Sequence, residues 1–264
     1  MSVNQKAKVW DSNCHPTIDG TFLDYSRNVP ALICNYPFKQ SISFEVEGIV
    51  AVGFLNIGGF DFAKYSKLLR NEPRVVSKVA PVNADYLEYR SEWLSKIKNL
   101  GYSGIKFHPK HSELDHSAFD LMRLFQDCEE HKLFLMICTW EIERYEAVSS
   151  FLLEASAMIK KGNQGRLLLA HAVGDSFDEL SYLSRRRRNI LLDTSFRLIR
   201  GERNAPQWVS REIKNDGNLS FGTDWPDYTL QDYSEILQSL QRGLSKKRFE
   251  NYTFRNLQKF LKYS

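Results

Sequence analysis

RLLLAHAVGD, residues 166–175, decides how this chain folds. A short apolar run, RLLLAHA (166–172), breaks off around His171 and gives way to polar sequence. Seven more runs of this kind stand along the chain: KVWDSNC (8–14), GIVAVGF (48–54), VVSKVAPV (75–82), SGIKFHP (103–109), LFLMICT (133–139), NILLDTS (189–195) and LSFGTDW (219–225). Between them lie stretches of helical periodicity. In ADYLEYRSEWLSKIKNLG (84–101), Leu87, Trp93 or Leu94, Ile97 and Leu100 recur at helical spacing, and Gly101 stops the run. SAFDLMRLFQDCEEHK (117–132) and SFDELSYLSRRRR (176–188) read the same way. The stretch from Pro16 to Glu47 does not, because Pro30 and Pro37 interrupt a weak periodicity, so it reads as a long first loop with at most short helix.

Apolar runs that alternate with helices predict βα units and a parallel sheet. Eight such units in 264 residues have the size of a (β/α)8 TIM barrel, whereas an open doubly wound sheet of that many strands is less typical. The expectation is an α/β chain, a (β/α)8 TIM barrel in a single domain over residues 1–264. The composition agrees, since 42% hydrophobic and 13% aromatic residues suffice for one large core. Gly and Pro are sparse, with no low-complexity tract and no visible domain boundary.

Several function classes are disfavoured at once. LFLMIC from Leu133 and LLLAHAV from Leu168 are far short of a membrane span, and MSVNQKAK lacks the apolar core of a signal sequence, which points to a cytoplasmic protein. Cys14, Cys34, Cys128 and Cys138 stand apart with no C-x-x-C pair, against a disulfide framework or a zinc knuckle. The net charge of +4 is mild and the basic residues form no stripe with interleaved aromatics. Neither nucleic acid nor membrane is expected as a partner; a small-molecule substrate is.

In such a barrel the C-terminal strand ends converge on one rim, where catalytic groups belong. Asn13 and His15 close the first run, His108 the fourth, Cys138 the fifth, His171 the sixth, Asp193 and Ser195 the seventh and Asp224 the eighth. Each alone has a plain explanation, because strand ends emerge into polar loops. Their joint placement points to an active site. Asp193 and Ser195 read as ties for the loop after the seventh strand, and His111, His116 and His131 as surface residues.

GYSGIKFHP (101–109), LLLAHAVGD, NILLDTS (189–195) and FGTDWP (221–226), in this order and spacing, resemble the amidohydrolase-related (amidohydrolase 2) family of metal-dependent hydrolases. FRNLQKFL (254–261) is similar to that family's closing helix with its Asn, here Asn256. The resemblance implies a barrel holding a divalent metal, commonly zinc, through an H-x-H on strand 1, a His on strand 5 and an Asp on strand 8, with a His on strand 6 assisting. His15, His171 and Asp224 match. The chain departs where Asn13 replaces the first histidine and where the strand 5 position falls near Cys138. The implied metal ligands are therefore His15, Cys138 and Asp224, and three protein ligands plus water suffice for a catalytic zinc. Asn13 is expected to bond the metal's water or the substrate, because an Asn carbonyl favours harder ions. The competing reading makes Cys138 a buried strand thiol and the metal lost.

Together these imply metal-assisted hydrolysis of an amide, ester or lactone bond: Asp224 takes the proton of the attacking water, and His171 polarises the carbonyl or protonates the leaving group. Lys106 and His108 would line the substrate pocket. Arg197, Arg200 and Arg203, in SFRLIRGERN after strand 7, suggest an anionic substrate, and read equally well as a solvated loop that starts the next helix. The alternatives are non-oxidative decarboxylation, which the same family also runs, and a metal-free barrel that binds without catalysing. A Ser or Cys nucleophile is disfavoured because no G-x-S-x-G elbow occurs. RRRR (185–188) ends the helix before strand 7, on the face opposite the rim. There it reads as a solvated cluster or as a contact with an acidic partner or a second copy in a homo-oligomer.

Overall fold

The computed structural model describes residues 6–22, 31–38, 43–112, 114, 120–140, 146–200 and 204–263. Eight strands form one sheet in sequence order, every neighbouring pair parallel. They are β1 (Ala7–Cys14), β2 (Phe44–Val52), β3 (Val75–Pro81), β4 (Gly104–Phe107), β5 (Phe134–Cys138), β6 (Arg166–Ala170), β7 (Ile190–Asp193) and β8 (Leu219–Ser220). Beyond β8 the chain bonds back to β1: Ser12 donates its N–H to Phe221, Asp224 to Asn13 and His15 to Trp225, at 3.0, 2.9 and 2.7 Å. These bonds nearly close the sheet, and the expected TIM barrel is what forms.

Helices cover the outside: α1 (Phe62–Arg70), α2 (Asp85–Glu88), α3 (Arg90–Asn99), α4 (Leu121–Glu130), α5 (Glu146–Lys160), α6 (Asp178–Ser184), α7 (Arg197–Arg200), α8 (Ala205–Lys214), α9 (Ser234–Gly243), α10 (Lys246–Glu250) and α11 (Asn256–Lys262). The strand alternation sorts two cores. On β5, Phe134 and Met136 face the barrel interior with Val50, Val52, Val79, Leu168, Ala170 and Leu191, while Leu135 and Ile137 pack outward under the helices. Leu257 and Phe260 of α11 plug the N-terminal end, where Phe260 meets Phe134 at 5.4 Å between ring centres. Asn256, matched to the family's closing helix, ties α11 to β8 by donating to the Leu219 carbonyl at 3.0 Å.

Element boundaries differ from the sequence reading in four places. β2 begins at Phe44, so the first loop is shorter than expected and contains a turn of 3-10 helix at Ile33–Asn35. The helix expected over 84–101 is broken at Tyr89, whose backbone (φ −128°, ψ 45°) leaves the helical region between α2 and α3. The one expected over 176–188 is regular only as α6. β8 is two residues long, Leu219–Ser220. Arg203 and His116 lie outside the described residues. Among the described residues no helix is long and apolar enough to cross a membrane.

Candidate active site

The pairing of β1 with β2 slips between Asp11 and Cys14. Such irregularities re-aim side chains, and here Ser12 and Asn13 turn to β7 and β8. Ser12 Oγ donates to the Asp193 carboxylate at 2.5 Å, and Asn13 Nδ2 donates to Asp224 Oδ1 at 2.8 Å and to Ser195 Oγ at 3.1 Å. Asn13 can face the carboxylate only with its NH2 group, since the amide oxygen has no proton to offer. Asp11, one layer below, accepts from Tyr36, from Thr223 Oγ1 and from the Thr223 and Asn13 backbone N–H groups. Burial pushes its pKa up to about 7.

The strand ends meet in a cavity of about 360 Å³ at the C-terminal rim. His15, Lys106, His108, Cys138, His171 and Asp224 reach into it, between walls formed by Phe22, Phe54, Trp140 and Phe196. Two larger clefts, of about 720 Å³ between α8 and α9 and about 690 Å³ beside the start of β1, hold none of these groups. Three residues here have left-handed backbone: His171 (φ 65°), Phe196 (φ 60°) and Asp224 (φ 62°). For side chains other than Gly this costs on the order of 1 kcal/mol each, and it persists only where surroundings enforce it.

Asp224 is the hub. Its Oδ1 stands 3.2 Å from His15 Nε2 and 3.8 Å from His171 Nε2. The second ring nitrogens face backbone carbonyls, His15 Nδ1 that of Val52 and His171 Nδ1 that of Ser195, both at 3.1 Å. Carbonyls only accept, so both Nδ1 atoms carry protons. The loop after β7 holds His171: the Asp193 carboxylate accepts from Ser195 Oγ and from the His171 backbone N–H. Asp193 and Ser195 do tie that loop, and what they hold is the site's histidine. Gly222, of the GTDWP motif, gives this network room, because a Cβ there would lie 2.2 Å from Asp193 Oδ2.

The electrostatics are those of a shared buried cluster. Burial opposes the charge of Asp224, but the charge of His171, the hydrogen bond and charge of His15 and the charge of Lys106 outweigh it and hold the carboxyl well below the carboxylate range. Burial also opposes the His171 imidazolium, yet the Asp224 charge and the Cys138 sulfur push it up to about 9. Burial and then the Lys106 charge bring His15 down to about 4. For Cys138 burial favours the thiol, and the charge and hydrogen bonds of His108 and His171 overcome it and hold the group well below the thiol range. Lys106 is 1% exposed, its Nζ has no hydrogen-bond partner, and it lies 4.6 Å from the centre of the Phe54 ring. Burial lowers its pKa against the pull of Cys138, Asp224 and Asp193.

Two expectations change. His111, read as surface, is half-buried on the cavity wall, where burial and then the His108, Lys110 and Lys106 charges bring it down to about 4. Arg197 and Arg200 are not among the residues that line the cavity: the Arg197 guanidinium lies 5.4 Å from the centre of the Trp140 ring and that of Arg200 6.0 Å from the centre of the Tyr228 ring. The aromatic wall itself carried no signal in the sequence, since its residues come from separate loops.

Residues 65–247 match the amidohydrolase family model Amidohydro_2. The chain belongs to the amidohydrolase family. Its fold is shared with an uncharacterized TIM-barrel protein from Bordetella bronchiseptica (TM-score 0.69, 17% identity, 97% of this chain and 99% of that one). A probable 2-pyrone-4,6-dicarboxylic acid hydrolase from Acinetobacter baumannii superposes with TM-score 0.63 at 12% identity over 97% of this chain and 99% of that one. A 2,6-dihydroxybenzoate decarboxylase from Rhizobium does so with TM-score 0.65 at 14% identity, covering 98% and 99%. No curated protein sequence matches the chain.

Amidohydrolases of this family typically use a divalent metal. The donor set of this chain does not fit one. Among the described residues no three His, Cys, Asp or Glu side chains could hold an ion together, so His15, Cys138 and Asp224 do not form the ligand set expected from the resemblance. Two of the three are already held by neighbours: Asn13 puts an N–H on Asp224 Oδ1, and His108 and His171 hydrogen-bond Cys138.

Proposed function

We propose that this amidohydrolase hydrolyses an amide, ester or lactone bond in a small anionic molecule, by acid–base catalysis between Asp224, His15 and His171. The observation that carries the reading is the convergence of His15 Nε2 and His171 Nε2 on one oxygen of Asp224 at the floor of the rim cavity. With its proton on Nδ1, His15 turns a bare nitrogen towards a carboxylate, so the pair lacks the proton it would share and takes one from water. Asn13 fixes the carboxylate for that water. His171, charged, polarises the substrate carbonyl and then protonates the leaving group. The two halves are coupled: as His171 gives up its proton, Asp224 loses its main stabilising charge and becomes the stronger base. Lys106 anchors the anionic group with Lys110 and His108 nearby, in place of Arg197 and Arg200, and the Phe54 and Trp140 rings clasp the apolar part.

A panel of small carboxylate-bearing lactones, esters and amides tests this with the native protein and Asp224→Asn. A fall of about 10³ in kcat/KM is expected for the variant, the usual scale for removing a positioned acid–base group. An unchanged rate sinks the reading. One observation favours a second reaction: a charged histidine beside the cavity can also protonate a carbon that has lost carboxylate. Release of carbon dioxide in place of a hydrolysis product identifies that decarboxylation.

A further inference from the structure

Helix α5 turns an apolar side chain straight out into solvent. Leu153, at the midpoint of Glu146–Lys160, is 65% exposed, more than any other large apolar side chain among the described residues. The inner face of the helix is already used, since Val148, Phe151, Leu152, Ala155 and Ile159 are buried in the core. On the outer face Glu146, Ser149, Leu153, Ala157 and Lys160 follow one another at steps of three, four, four and three residues, and all are exposed. Those steps keep them in one line along a helix. Beside Leu153 a groove of about 330 Å³ opens towards α6, lined by Leu152, Phe177 and Leu180, which widens the apolar strip.

From either end the line runs charged, small, apolar, small, charged, with an acid in the first turn and a base in the last. A second copy laid antiparallel on it sets Glu146 against the partner's Lys160, Ser149 against the partner's Ala157, and Leu153 against its own twin. Ser149 and Ala157 are small enough to let two helices approach, and Leu153 fills the space at the axis. A face of one charge sign suits a polyanion or a lipid surface. Opposite signs at the two ends of one apolar line suit a copy of the same line, because a two-fold axis supplies both complements at once. Lys160 also meets Glu179 within the chain at 2.6 Å. An ammonium has three donors, so that surface pair does not exhaust it, and Lys161 adds a second exposed cation at the same end.

We propose that α5 is the two-fold interface of a homodimer, in which the helices of two copies pack antiparallel about Leu153. Since α5 follows β5, whose Cys138 lines the rim cavity, this packing points the two rims in opposite directions and leaves both cavities open. Fifteen residues make a contact about 22 Å long. One such helix pair buries less than the roughly 1,600 Å² of a standard interface, which places Kd on the order of 10 μM. The contact lies on the outer wall of the barrel, so it stands or falls apart from the hydrolase reading.

Sedimentation velocity on the full chain, from about 1 μM to about 500 μM, reads the association directly. The native protein should pass from monomer to dimer across that range. Glu146→Lys and Lys160→Glu each set like charges across both ends of the contact, and each should weaken the dimer about tenfold. Mixed in equal amounts, the two variants should recover the native affinity, because each supplies the charge that the other lacks. Structural damage in either would not be cured by mixing. A native protein that stays monomeric throughout, variants that dimerise as tightly as the native protein, or a mixture no tighter than the variants alone overturns the proposal. Circular dichroism checks that the variants fold. If a charge variant does not, Leu153→Asp decides: a lost dimer is the expected result, and a retained one overturns the proposal.

Discussion

At the N-terminal end of the barrel, charged side chains sit at the surface in finished pairs: Lys160 with Glu179 at 2.6 Å, Arg185 with the buried Glu212 at 2.8 Å, and Arg187 on the Lys160 carbonyl at 2.8 Å. At the C-terminal rim Lys106, His171 and Asp224 are buried, share charge within one cavity and adopt left-handed backbone at two of the three positions. The run RRRR is the most conspicuous cluster in the sequence and the least chemical, because each partner it meets is structural. The single charged residues at strand ends attract less notice, yet burial and the charges gathered around them shift the proton affinities of Lys106, His171 and Asp224. What separates the two ends is desolvation, which a count of charges cannot show.

That contrast can be broken by substitution, with effects expected to fall in order. His171→Asn should lower kcat/KM by about 10²–10³, since the acid is removed while the cavity stays. In the native protein kcat/KM should fall as pH rises through about 9, where His171 loses its proton, and as pH falls through about 4, where His15 gains one. Stability follows the same groups. His171 has a raised pKa, so its contribution is full below about 6.5 and is lost as pH rises through about 9. His15 has a lowered one, so its contribution is full above about 6.5 and is lost as pH falls through about 4. Denaturant titrations across this range check both arms.

Gly222→Ala should destabilise by about 1–3 kcal/mol and reduce turnover, because the added Cβ collides with the Asp193 carboxylate that holds His171. Chemical unfolding and steady-state rates measure it. Arg186→Ala is the smallest change: its guanidinium lies 5.5 Å from the Tyr182 ring at the surface, and a shift within about 0.5 kcal/mol with no change in rate is expected. A large loss of activity there would erase the distinction between the two ends.

Much of the barrel was legible because its signal is local. Each apolar run is a strand, and the period-two alternation that buries Phe134 and Met136 also points Cys138 into the cavity. The rim position of His15, His108, Cys138, His171 and Asp224 followed from where each run stops. The connections among them did not, because they join distant parts of the chain: Ser12 and Asp193 are 181 residues apart, and Asn13 and Asp224 211. The slip in β1 that turns Asn13 to Asp224 leaves no mark on the sequence, nor does the positive φ of His171 and Asp224. Asp193 and Ser195, read as ties for the loop after β7, were the readable trace of that network. The arginines show the same limit, since sequence places them after β7 but only packing shows the Arg197 guanidinium beside the Trp140 ring and that of Arg200 beside Tyr228.

The most direct measurement is the turnover of one responsive substrate by the native protein before and after exhaustive dialysis against chelator, with Asp224→Asn alongside. The account predicts an unchanged rate after dialysis and a fall of about 10³ in the variant. A rate abolished by the chelator and restored by zinc would contradict it.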